Sequence, residues 1–142
     1  DYVIIDGLRD FSDLAMVCLD AADLIVVVFT QDVPAVRSVI RAMELFKKLG
    51  YSAAQIRLVL NRYQKKSPVT LEAISRALGR DVDAIVHNNF PLVERGFNQG
   101  RFVYDLEPKS AVAQDLEVLA RNVAGLPAVA VKQSFLSKMF GR

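Results

Sequence analysis

Leu24-Ile-Val-Val-Val-Phe29 is an unbroken apolar run dominated by β-branched residues, and the pattern changes period immediately after it. Asp32 and Pro34 have the order of an N-cap and a first-turn residue. Val36, Val39, Ile40, Met43, Phe46 and Leu49 then recur at helical spacing, and Gly50 stands as a stop after Lys47 and Lys48. An apolar run with no polar alternation is the pattern of a strand covered on both faces, the situation of a parallel sheet with helices on either side. Working outward, Tyr2-Val-Ile-Ile5, Ile56 to Leu60 and Ala84 to Val86 read as further strands. A helix is expected from Thr70, with Leu71, Ile74 and Leu78 on one face and Gly79 at its end. Another is expected from about Ser110 to Val123, with Val112, Leu116, Leu119 and Val123 as its stripe and Gly125 with Pro127 closing it. The alternation predicts an α/β fold with an open, mostly parallel, doubly wound sheet and flanking helices over residues 1–125.

Composition agrees with one core. The chain has 142 residues, 52% hydrophobic and 24% charged, enough for a single domain without staples. One cysteine, Cys18, permits no internal disulfide, and one histidine, His87, permits no His-rich zinc site. The longest apolar run, Leu24 to Phe29, is far below the roughly 18 residues of a membrane span. The chain starts at Asp1 and enters a strand-like run at once, so the expectation is a fragment whose sheet continues upstream.

The net charge of +2 hides an uneven distribution. Seven acidic residues and one basic, Arg9, lie between Asp1 and Asp32, whereas Arg37 to Arg80 carries ten Lys/Arg against two Glu. Solvated helix faces account for such a stretch, and an acidic partner would also fit it.

In open α/β sheets ligands bind beyond the carboxyl ends of the strands. The residues that follow the apolar runs are therefore the candidates: Asp6, Thr30, Asn61 with Arg62, and His87 with Asn88 and Asn89. A carboxylate placed like Asp6 serves Mg²⁺, which keeps most of its waters and takes only one or two carboxylates; the same position also caps helices. Asn61 offers a donor and an acceptor to a base edge and Arg62 a plane to stack on it, although an Asn after a strand is commonly a turn residue.

Together, Asp1-Tyr-Val-Ile-Ile-Asp6, Leu24 to Phe29 with Pro34, Leu58-Val-Leu-Asn-Arg62 and Gly96-Phe-Asn-Gln-Gly100 resemble the MinD/ParA family of deviant Walker ATPases, most closely its TadZ/CpaE pilus-assembly branch. The resemblance spans Asp1 to about Gly125, and Asp6-Gly-Leu-Arg9 is similar to the Asp-x-Pro-Arg run of that branch, with Leu8 in place of Pro. It implies ATP and Mg²⁺ as cofactors of the full-length protein, with Asp6 toward the metal and Asn61, Arg62, His87 and Asn88 toward the nucleotide. His87 stands where many relatives have a Pro, and a strand-end His satisfied by backbone groups is the plainer reading. The phosphate-binding G-x-x-x-x-G-K-[ST] loop is absent from the sequence, so this partial P-loop fold is expected to be inactive alone.

The resemblance further implies a nucleotide-dependent homodimer in the bacterial cytoplasm, peripheral to the inner membrane, that works with pilus or secretion machinery; nucleic acid is not an expected partner. Residues 126–142 read as a linker and a short basic amphipathic tail, with Phe135, Leu136, Met139 and Phe140 near Lys132, Lys138 and Arg142, suited to a weak membrane-surface contact or to packing on its own domain. Two other readings compete: a non-enzymatic scaffold with a degenerate nucleotide site, and a phosphorylatable receiver domain. The receiver expects a Lys after a late strand, and Asn61-Arg62 argues against it.

Overall fold

A computed structural model describes residues 1–8 and 10–126. In order they form α1 (Asp13–Asp20), β1 (Ile25–Thr30), α2 (Val33–Lys48), β2 (Ile56–Tyr63), α3 (Leu71–Leu78), β3 (Ala84–His87), α4 (Phe90–Gln99), α5 (Val103–Leu106) and α6 (Ala111–Val123). The three strands make one parallel sheet in the order β1-β2-β3.

Strand β2 is central because both its faces are apolar. On one face Ile25 and Phe29 pair in register with Ile56 and Leu60, and these side chains pack with Leu58 against Val36, Val39 and Phe46 of α2 and Ile74 of α3. On the other, Val59 and Val86 pack against Leu92 of α4 and Val112 of α6. Helices on both faces make the sheet doubly wound, as expected. The helix signals read from the sequence are used: Asp32 caps α2 with its side chain on the Ala35 amide, Thr70 caps α3, Ser110 caps α6, and Gly79 and Gly100 end their helices in the left-handed region.

Two expectations are corrected. Tyr2 to Ile5 is not a strand: Val3 is 91% exposed, and no strand among the described residues pairs with the run. A parallel strand gains its stability from a neighbouring ladder and from helices on both faces. Here the run is tied by the Tyr2 hydroxyl, which donates to the Ala124 carbonyl at 2.7 Å. The apolar stripe of α6 is also only partly buried. Val112 and Leu119 pack on the sheet side, while Leu116 opens into a cavity of about 460 Å³ beside Phe102 and Tyr104. The tail beyond Leu126, and Arg9, lie outside the described residues.

Candidate functional site

The carboxyl ends of the strands form the rim where the sequence placed the polar candidates. Thr30 and Asn61 are lateral neighbours across β1 and β2. Between β2 and β3 the ladder runs Leu60 to Ile85 and then Tyr63 to His87, so β2 carries one extra residue there. That is a bulge, and the chain accommodates it by placing Arg62 at φ 55°, the single non-glycine residue with positive φ among those described. A left-handed conformation costs a side chain about 1–2 kcal/mol. Asn61 offsets part of this, since its Oδ1 accepts the Arg62 amide at 2.9 Å. Asn61 therefore acts locally as a turn residue, and the bulge turns Arg62 out of the ladder.

At the end of β3, His87 is not satisfied by backbone groups, contrary to the plainer sequence reading. Asp115 of α6 accepts both its backbone amide, at 2.8 Å, and its ring Nδ1, at 2.7 Å. Tyr63 stands edge-on to the ring, with centroids 5.3 Å apart. Asp115 takes up Nδ1, which leaves Nε2 as the ring nitrogen outside this pair. Asn88 follows; its amide donates to the Tyr63 carbonyl at 2.9 Å and its side chain is exposed. Asn89 is the N-cap of α4, its Oδ1 facing the Leu92 amide.

Asn61, Arg62, His87 and Asn88 thus come from adjacent ends of β2 and β3. Asp6 does not join them in the sheet. It lies exposed in the irregular opening segment, with Oδ1 accepting the following Gly7 amide at 2.7 Å. Among the described residues no group of three His, Cys, Asp or Glu side chains is gathered for a metal. One exposed carboxylate in an irregular segment is a poor fit to Mg²⁺.

A cleft of about 360 Å³ opens beside this rim, between the β1–α2 turn and the loop after β2. Thr30, Gln31 and Asp32 form one wall and Arg62, Gln64 and Lys66 line the other. The Thr30 hydroxyl donates to Asp32 at 2.5 Å, and that bond first, then the Ala35 amide, holds the Asp32 carboxyl below its ordinary pKa. Gln31 ties the walls together: Oε1 accepts the Gln64 amide and Nε2 donates to the Val69 carbonyl, each at 2.8 Å. Sequence reasoning missed Gln31 and Asp115. Gln31 sits one position past the strand end that drew attention to Thr30, while Asp115 occupies an ordinary polar position of a helix and carries no local signal.

The fold and its rim define a class, α/β proteins with a parallel, doubly wound sheet whose strand ends carry polar residues. Similar solved structures sharpen this. A ParA family ATPase from Chlorobium tepidum matches with TM-score 0.68 and 20% identity over 74% of this chain and 44% of its own. MinD of Aquifex aeolicus, solved in complex with MinC, matches with TM-score 0.68 and 20% identity over 86% and 50%. MinD of Pyrococcus horikoshii bound to Mg-ADP matches with TM-score 0.62 and 22% identity over 77% and 44%. In sequence, the septum site-determining protein MinD of Thermotoga maritima is 25% identical over 130 residues, 88% of this chain and 47% of that protein. No protein-family model matches the chain. The fold is that of the MinD/ParA ATPases, the likenesses support a relationship to them, and the chain spans about half the length of these relatives. Among the described residues no helix is long and apolar enough to cross a membrane.

Proposed function

We propose that this chain is the C-terminal part of a MinD/ParA-like ATPase of the TadZ/CpaE branch, a nucleotide-dependent localisation or assembly switch in pilus assembly or secretion. The observation that carries the reading is the convergence of Asn61 and Arg62 with His87 and Asn88 at adjacent strand ends of this fold. In the full-length protein these residues bind the base of ATP: Arg62, turned out of the ladder by the bulge, stacks on it, and the exposed Asn88 amide and His87 Nε2 meet its edge. Two subunits associate with nucleotide bound, and the protein works peripherally at the cytoplasmic side of the inner membrane.

This chain has no Gly-Lys phosphate loop, so its amides offer no cradle for phosphates. The expected outcome is that the chain alone shows no ATP turnover and only weak nucleotide binding by calorimetry; clear hydrolysis would overturn the inactive-alone reading. Once joined to a phosphate-loop half, Arg62→Ala should lower ATP affinity about tenfold, the loss of a stacked cation worth roughly 1–2 kcal/mol; an unchanged affinity would remove Arg62 from the site.

A second reading, a non-enzymatic scaffold with a degenerate nucleotide site, is favoured by one observation. His87 is engaged by Asp115 through its backbone and its ring, an arrangement that secures α6 to the sheet with no ligand involved.

A further inference from the structure

We propose that the cleft between the Thr30–Asp32 turn and the loop after β2 is a docking site for an acidic side chain of a protein partner, a Glu or Asp in an exposed peptide segment. The inference goes beyond the nucleotide reading: Arg62 is common to both, while Thr30, Gln31, Asp32, Gln64 and Lys66 have no part in that reading.

The walls are fixed before any ligand arrives. Gln31 spans them with two hydrogen bonds of 2.8 Å. The loop braces itself through the Ser67 amide on the Gln64 carbonyl at 3.1 Å and the Val69 amide on Ser67 Oγ at 3.2 Å. The bulge holds Arg62 at φ 55° on the border of the same cleft, and backbone strain retained by a well-braced surrounding is a mark of functional sites.

Charge selects the ligand. Arg62 and Lys66 line the cleft, and neither makes an ion pair among the described residues. Asp32 is the opposing carboxylate, and its oxygens are already taken by the Thr30 hydroxyl and the Ala35 amide. Two cations against one anion leave a surplus of a single positive charge, which one carboxylate balances. A phosphate dianion would exceed it, and the first-turn Ala35 amide of α2, a natural donor to phosphate, is occupied by Asp32. The cleft is open and its apolar lining is small and about equal to its polar one, so a small organic ligand finds little apolar surface to bury, whereas a peptide gains further contacts along the rim. Exposed Lys65 and Arg37 belong to the basic stretch from Arg37 to Arg80 and add the field that draws an acidic segment in.

The test is a two-dimensional NMR titration of the isotopically labelled chain with a capped Ser-Glu-Glu-Ser peptide, its Gln-for-Glu counterpart and inorganic phosphate. The expected result is a saturable shift confined to the amides of Gln31 and of residues 62–67 with the acidic peptide, and none with the Gln peptide. Lys66→Gln should weaken binding about three- to fivefold, the range of an exposed charge pair, while the rest of its spectrum reports an intact fold. Equal response to both peptides, tighter binding of phosphate at the same amides, or shifts spread evenly over Lys47, Lys48 and Arg80 would each overturn the proposal. Lys66 is outside the proposed base contacts, so either result leaves the nucleotide reading standing or falling on its own test.

Discussion

Asp32 caps α2, borders the cleft and responds to pH through one identifiable pair of bonds. Its carboxyl is held below the ordinary value by the Thr30 hydroxyl first and the Ala35 amide second, so the folded state favours the ionised form. The stabilisation is therefore fully present above the unfolded carboxylate pKa of roughly 3.9 and is lost as the pH falls through the lower folded value. Asp32→Ala should cost about 1 kcal/mol near neutrality, the usual loss of an N-cap. The gap in urea midpoint between wild type and variant should close on acidification below about pH 4; a gap that stays constant to low pH would remove the charge from the account. Asp115 is a second single residue with two duties. Asp115→Ala strips the acceptor from the His87 amide and ring, and a loss of about 1–2 kcal/mol is expected in urea denaturation. Asp115→Asn, which keeps an acceptor oxygen, should recover part of it.

At the level of helices and strands, the α4–α5 corner depends on a residue whose role the sequence did not reveal. Gly96 is buried inside α4, and a Cβ there would meet the Arg101 carbonyl oxygen at 2.8 Å, with Leu106 and Val103 close behind. Gly96→Ala removes a helix-weakening glycine, which favours α4 by up to about 1 kcal/mol. The contact with rigid backbone should outweigh that gain, since overpacking costs about 1–3 kcal/mol. A net fall in thermal midpoint is expected, and a rise would show that the corner opens freely. The contrast with Gly100 explains what was legible: its φ of 61° follows a helix and precedes a new segment, so position along the chain announces it. The strands β1, β2 and β3 and the helix α2 were readable for the same reason, because periodicity and caps are local. What escaped depended on distant partners. Asp115 meets His87 across 28 positions, Gln31 reaches 33 and 38 positions onward, and Tyr2 to Ile5 has a strand's composition with no paired neighbour. The bulge at Arg62 is a register event between two strands, visible only once β2 and β3 are laid side by side.

The molecule as a whole is lopsided in a way that decides its behaviour in solution. Its centre is β2, where Leu58 and Leu60 are fully buried. Its flank is β1, which pairs with β2 on one side and, among the described residues, with no strand on the other. On the face of the sheet covered by α4 and α6 further along, Val26 and Val28 of β1 remain 37% and 58% exposed, and Val3 and Ile4 are exposed as well. An unpaired edge with branched apolar side chains is a template for another strand, and β1 itself contains no Pro, Lys or inward charge to blunt it. The chain is therefore expected to self-associate through β1 unless another segment or partner covers that edge. Light scattering across a dilution series should show mass rising with concentration, and Val28→Lys should return it to the monomer value without lowering the urea midpoint, because the side chain it replaces is already in water. A monomer at every concentration would mean that the edge is protected by something other than a second copy. A wild-type oligomer that Val28→Lys leaves intact would place the contact elsewhere, with the apolar cavity beside Phe102 and Tyr104 the next surface to mutate.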